Sequence, residues 1–96
     1  MTAPVRPRVR DDLTFVEIDG EAVVYDEVDD RLHYLNQTAT LVFKLFDGST
    51  TITELSGEIA AASGLPVTQV ERDVRTLNRQ FRRSGLMTVN GGLTLA

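Results

Sequence analysis

Short apolar stretches separated by turn residues predict three β-strands in the first third of the chain. The stretches, rich in β-branched, leucine and aromatic residues, cover residues 13–18, 21–26 and 31–35. Asp19-Gly20, between the first two, is a strong signal for a two-residue hairpin turn, and Asp29-Asp30 marks a second turn. Two short turns in succession require an antiparallel meander, so the first and third strands lie at the two edges of the sheet.

Apolar residues at intervals of three and four predict three helices in the remainder of the chain. The predicted helices cover about 37–47, 53–63 and 69–83. Asn36 is a preferred N-cap type and joins the third strand directly to the first helix, which Gly48 closes. The second and third helices each open with the spacing of a capping box: Thr51 to Glu54, and Thr68 to Glu71.

This order of elements predicts an α+β domain: a three-stranded antiparallel sheet followed by three helices on one of its faces. The second and third helices have the proportions of a helix-turn-helix, so the fold is expected to be winged-helix-like. A weak hairpin over 87–89 and 93–95 would form the wing. The expected boundaries are a flexible N-terminal arm at 1–12, the domain at 13–87 and a tail or weak hairpin at 88–96.

Composition narrows the classes of protein that fit. The chain has 96 residues, of which 42% are apolar and 25% charged, as in an ordinary globular domain. No apolar run approaches the length of a membrane span, and no signal peptide precedes the domain, so a cytoplasmic protein without membrane association is expected. The absence of cysteine excludes disulfides and thiolate chemistry, and one histidine excludes a multi-histidine metal site within one chain.

Enzyme signatures are missing from the sequence. It contains no nucleophile motif, no glycine-rich phosphate loop and no zinc-binding histidine pair. The neighbouring aspartates at 11–12 and 29–30 lie in arm and turn contexts, where aspartate is favoured for backbone reasons. His33 could carry a proton, but a single strand histidine among apolar neighbours is more often structural. Neither catalysis nor a cofactor is expected.

The third strand is the most informative segment. An edge strand presents unpaired backbone N–H and C=O groups, and proteins usually protect such edges with lysine, proline or a bulge. Residues 31–35 carry neither lysine nor proline and only one charge. They are therefore a candidate for β-augmentation, in which a peptide adds itself as a further strand. Pairing with the N-terminal arm or with a second copy of the chain remains an alternative.

One ordered set of residues resembles the PqqD-like family, whose domain is also called the recognition element of ribosomally made, modified peptides. The set runs from Leu35-Asn36 through Asp47-Gly48 to Asp73-Val74, Leu77 and Gly85-Leu86-Met87. The resemblance implies a non-catalytic peptide chaperone that binds the leader segment of a precursor peptide along the third strand. The bound peptide would be presented to a modifying enzyme such as a radical SAM enzyme, a cyclase or a leader peptidase.

The resemblance also implies which residues form the site. The strand side would be Leu32, His33, Tyr34 and Leu35, with Asn36 as the hinge into the first helix, and the third helix would form the other wall. Two flanks of that helix lie beside its apolar stripe, and we favour the arginine flank because guanidinium groups bind carboxylates in a bidentate manner. The expected peptide-binding set is Arg31, Leu32, His33, Tyr34, Leu35, Arg75, Asn78, Arg79 and Arg82. The other flank carries Asp73, Thr76 and Gln80.

Two other functions remain alternatives. A winged-helix DNA-binding regulator would use the five arginines of residues 69–83 on phosphates, but the net charge of −4 and the single lysine argue against nucleic acid. A dimerisation or scaffold module would use the same edge strand. The charge is also unevenly distributed: residues 17–31 carry seven acids and one arginine, and such a division can steer a charged partner to one side.

Overall fold

The structure, a computed structural model, describes residues 5–88 and has the predicted α+β architecture. The elements are β1 (Thr14–Ile18), β2 (Glu21–Asp26), β3 (Arg31–Leu35), α1 (Gln37–Leu45), α2 (Ile52–Ser63) and α3 (Val67–Arg83). The strands form one antiparallel sheet in the order β1-β2-β3. The meander with its two edge strands is confirmed.

The turns follow from the residues that occupy them. Asp19 and Gly20 both have positive φ angles, 55° and 82°, which a two-residue type I′ hairpin requires. In the second turn Asp30 has a φ of 52°. There the buried Asp26 carboxylate accepts the backbone N–H groups of Val28 and Asp29 at 3.1 and 3.3 Å, so a side chain from the end of β2 holds the turn that starts β3.

Two of the three helix N-termini have the caps that the sequence predicts. Asn36 Oδ1 accepts the Ala39 N–H at 2.8 Å, as expected of an N-cap, and Thr51 forms the predicted capping box. The predicted capping box at Thr68 is wrong. Helix α3 begins at Val67, directly after Pro66, and no side chain caps it. Proline is already fixed at a φ near −65° and needs no N–H partner, so the helix starts two residues earlier than expected.

Helix α1 ends at Leu45, with Phe46 as its C-cap, two residues earlier than the sequence predicts. Gly48 lies further along, in the left-handed conformation at φ 83°. Its N–H donates to Pro7 O at 2.9 Å. Gly48 therefore turns the chain against the N-terminal segment rather than capping the helix directly.

The core lies between one face of the sheet and the helices. Val24, Val42, Phe46 and Leu86 are essentially inaccessible to solvent. Phe81 packs the edge of its ring against Phe43 and Phe46, with centroid distances of 5.7 and 6.0 Å. The opposite face of the sheet carries no helix among the described residues. Among residues 5–88, no helix combines the length and apolarity that crossing a bilayer needs.

The N-terminal segment is attached to the domain rather than loose. Val9 N–H donates to Phe46 O, and Arg10 N–H donates to Leu86 O, both at 2.9 Å. Isolated bridges join Arg8 to Asp47 and Val9 to Met87. The expectation of a flexible arm is therefore wrong for residues 7–10, because backbone hydrogen bonds and the half-buried Val9 side chain hold them. The suggested terminal hairpin lies largely outside the described residues, which end at residue 88.

Candidate functional site

The candidate site is the open edge of β3. Within residues 5–88, β3 pairs with β2 on one side and with no strand on the other. The register shows which of its backbone groups are unpaired. Across the two-residue turn, Ile18 and Glu21 form a hydrogen-bonded pair, and the pairs then alternate along the sheet. Residues of β2 that bond to β1 therefore alternate with those that bond to β3.

The alternation assigns a direction to each residue of β3. Leu35 pairs with Ala22 and His33 pairs with Val24, and these partners are the β2 residues that turn their backbone groups toward β3. The backbone groups of the intervening Leu32 and Tyr34 must consequently point to the open edge. Two N–H donors and two C=O acceptors are thus available to an additional strand.

A groove of ≈ 480 Å³ lies between this edge and α3. Its apolar lining comes from Ala39, Leu77, Phe81 and Leu86. Its polar lining comes from His33, Asn36, Gln80 and Ser84, and the residues 32–35 of β3 form one wall. Because the floor is apolar and the rim polar, the groove can hold an apolar side chain and hydrogen bond the chain that carries it.

The side chains of β3 alternate between the groove and the solvent. Leu35 is buried and His33 is half-buried on the helix side, whereas Leu32 and Tyr34 are 56% and 78% exposed on the other face. The Nε2 atom of His33 is buried and has no hydrogen-bond partner among the described residues. Buried polar atoms are rarely left unpaired, so this nitrogen is a position at which a ligand could donate or accept.

The structure corrects the choice of helix flank. Leu77, Gln80 and Ser84 face β3, and these lie on the side of the stripe that carries Asp73 and Thr76. Arg75, Asn78 and Arg82 instead line a separate depression with Val5 and residues 51–53. The arginine flank favoured from the sequence is therefore directed toward α2 and the N-terminal segment, away from β3.

The two remaining predicted residues lie outside the groove lining. Arg31 is exposed at the first position of β3, opposite Asp26 in the register. Arg79 is exposed on the outer side of α3 and donates to Thr76 Oγ1 at 3.2 Å. Of the expected set, the structure thus brings together Leu32, His33, Tyr34 and Leu35 and separates them from all four helix residues.

An ion pair that the sequence did not reveal anchors the start of β3. Arg10 donates to Asp26 at 2.8 Å, to Asp12 at 3.0 Å and to Gly85 O at 2.9 Å. The guanidinium holds the pKa of the Asp26 carboxyl below its usual range, and burial opposes this only partly. The sequence offers one indication that Asp26 is buried. Side chains alternate between the two faces of a strand, and Asp26 lies on the same inward face of β2 as Ala22 and Val24.

The other edge of the sheet is partly closed. Lys44 of α1 donates to the carboxylate of Glu17 in β1 at 2.9 Å, and charged side chains on an edge strand discourage strand addition. A second depression, of ≈ 470 Å³, adjoins β1, but its lining includes Lys44 and other charged side chains. The groove beside β3 is lined by no lysine, arginine or carboxylate, so within residues 5–88 the β3 edge is the one better suited to an extended peptide.

The comparisons identify the family. The chain belongs to the PqqD family, described as coenzyme PQQ synthesis protein D, whose model matches residues 21–87. This match covers all elements from β2 to α3 and includes both walls of the groove. A search of curated protein sequences finds no match.

Two solved structures share the fold. One is described as TbiB1 in complex with the TbiA(beta) leader peptide, with a TM-score of 0.75 and 20% identity over 92% of this chain and 99% of that chain. The other is described as lasso peptide synthetase B1 complexed with the leader peptide. Its TM-score is 0.74, with 19% identity over 86% of this chain and 98% of that chain.

Proposed function

We propose that this protein is a non-catalytic chaperone that binds the leader segment of a ribosomally made precursor peptide. The leader adds to β3 as a fourth strand, and the protein presents the remainder of the precursor to a modifying enzyme, such as a radical SAM enzyme, a cyclase or a leader peptidase. The observation that carries the proposal is the outward direction of the Leu32 and Tyr34 backbone groups beside the groove under α3.

The geometry suits an extended peptide. An added strand lies about 4.8 Å from β3 and turns alternate side chains to opposite faces. Every second leader side chain would therefore enter the space between β3 and α3, where Leu77 and Phe81 offer an apolar surface. Main-chain hydrogen bonds supply affinity without regard to sequence, and the groove supplies selectivity for apolar leader residues.

The comparisons support the same proposal. The chain belongs to the PqqD family, and both similar structures are described as holding a leader peptide. At 20% and 19% identity they establish the shared fold. The open edge and the groove of this chain supply the chemical reason for extending their ligand class to it.

Amide hydrogen exchange tests the proposal at single residues. The ¹⁵N-labelled chain is titrated with a synthetic leader peptide of its candidate precursor, and exchange is followed by NMR. Binding should slow exchange at Leu32 and Tyr34, which face the open edge, much more than at His33, whose amide already bonds to β2. A composition-matched scrambled peptide is the control.

Dimerisation through the β3 edge would give a different experimental result. Two copies of the chain paired through β3 would protect the same amides without any peptide, and the solution mass would double. A monomeric chain whose Leu32 and Tyr34 amides exchange at the same rate with and without saturating leader would refute strand addition to β3.

A further inference from the structure

The sheet face that no helix covers carries a concentration of exposed apolar side chains. Nine large hydrophobic residues are exposed within residues 5–88. Four of them lie on this face: Val16, Ile18, Leu32 and Tyr34. We call the surface formed by Thr14, Val16, Ile18, Glu21, Val23, Tyr25, Leu32 and Tyr34 the outer sheet face.

The register places these side chains in continuous rows across the strands. Val16, Val23 and Tyr34 stand opposite one another, and a shallow depression of ≈ 550 Å³ lies along this row toward the first turn. Their exposed fractions of 51% for Val16 and 78% for Tyr34 leave apolar surface in water. Single exposed apolar side chains are ordinary on protein surfaces, but side chains gathered in one row on one face are a candidate interaction site.

Acidic residues border the outer sheet face at both ends. Among residues 5–88, Glu17 and Asp26 have cationic partners, and no ion pair involves the remaining acids of the two turns. These acids are Asp19 and Glu21 at one end, and Glu27, Asp29 and Asp30 at the other. The surface is therefore apolar at its centre, and at its two ends the five acids outnumber the one exposed cation, Arg31.

We infer that the outer sheet face is the docking surface for the peptide-modifying enzyme, which meets it with an apolar patch bordered by lysine and arginine. This inference rests on the proposed function. Charge complementarity selects the occupant, because a partner with a basic rim neutralises both acidic turns. A second copy stacked face to face would place acidic turns against acidic turns in either strand direction.

The leader strand continues the same surface. Three strands of about five residues, spaced about 4.8 Å apart, give a face of roughly 240 Å², and a strand added to β3 enlarges it to about 320 Å². A stable interface buries about 800 Å² on each partner. The outer sheet face with the leader strand supplies less than half of that area, so the enzyme must also contact the acidic turns and surface beyond them.

Two positions on β1 separate enzyme docking from leader binding. Val16→Thr combined with Ile18→Thr removes apolar surface while keeping β-branched residues on the strand, and β1 is the edge opposite β3. Val67→Thr is the matched control, since Val67 is 48% exposed at the start of α3. The probe is the purified enzyme that modifies the same precursor peptide, measured with the full-length chain and its leader.

The double variant should bind the leader with unchanged affinity and the enzyme at least about tenfold more weakly, whereas Val67→Thr changes neither. Replacing Asp19 with Asn and Glu21 with Gln should slow enzyme association and reduce its dependence on salt. Unchanged enzyme affinity in the double variant, alongside normal leader binding, overturns this inference alone. A wild-type chain that is dimeric, and becomes monomeric in the double variant, overturns it in favour of self-association. If the wild-type chain does not bind the leader, the proposed function itself is refuted.

Discussion

Replacing Tyr34 with proline removes one of the two backbone N–H groups that β3 directs to its open edge. The register assigns this N–H to the edge because the neighbouring His33 is the residue that bonds to β2. Proline is tolerated on an edge strand when its nitrogen faces away from the sheet. Tyr34→Pro should therefore preserve the domain while removing a donor that an added strand requires.

The magnitude follows from the unpaired acceptor. A leader carbonyl buried at the edge without its donor loses about 1–3 kcal/mol, and each 1.4 kcal/mol corresponds to a tenfold change in affinity. The Tyr34→Pro variant should bind the leader about 5- to 150-fold more weakly. Tyr34→Ala keeps the N–H and loses only a ring that is 78% exposed, so its effect should stay within about fivefold, the range of one cross-strand side-chain contact.

Fluorescence anisotropy of a labelled leader measures both affinities, and circular dichroism with thermal unfolding verifies the fold. His33→Pro serves as the opposite control, because the His33 N–H bonds to β2 and its loss should lower the melting temperature. If folded Tyr34→Pro binds the leader as tightly as Tyr34→Ala, strand addition to β3 is wrong. If His33→Pro is as stable as the wild type, the assignment of inward and outward amides is wrong.

Four further predictions concern the groove and the fold. Gln80→Ala should weaken leader binding about fivefold, because a hydrogen bond of about 1 kcal/mol is lost, whereas Arg82→Ala should change the affinity less than twofold. If a titration shows the larger loss for Arg82→Ala, the arginine flank of α3 contacts the leader instead. Asn36→Ala should lower the free energy of unfolding by about 1 kcal/mol in denaturant titrations, whereas Asn36→Asp keeps the capping oxygen, and equal losses would contradict the cap. Phe81→Ala should lower it by about 3–5 kcal/mol, and a loss below about 1 kcal/mol would contradict the aromatic packing. The pKa of Asp26 is lowered in the fold from its usual 3.8. Its ion pair therefore contributes fully to stability above pH 3.8 and is lost as the pH falls through the lower folded pKa. The melting temperature should fall more steeply with acid in the wild type than in Asp26→Asn, and parallel curves for the two proteins would exclude this role.

Local chemistry explains why much of the fold could be predicted from the sequence. The Asp19-Gly20 turn fixes a hairpin because both residues tolerate positive φ, and Asn36 and Thr51 cap helices through contacts three residues away. Each of these signals acts within a few residues. The same locality explains the error at Thr68, where the chemistry of a capping box was present but Pro66 began the helix first.

The groove could be predicted only in part. The position of β3 at an edge follows from the order of short turns, so its residues Leu32 to Leu35 were identified from the sequence. The helix residues of the groove were not, because a helical wheel is symmetrical about its apolar stripe. Gln80 and Arg82 are equally good neighbours of Phe81 until the direction in which α3 crosses the sheet is known.

The sequence by itself determined the strands, most helix ends and the edge position of β3, since periodicity, turns and caps are interactions between near neighbours. The tertiary structure decided three things: which flank of α3 faces β3, the attachment of residues 7–10, and the pairing of Arg10 with Asp26 across 16 positions. These depend on how separate elements meet in space. Packing of the shared core sets that arrangement, and no short stretch of the chain encodes it alone.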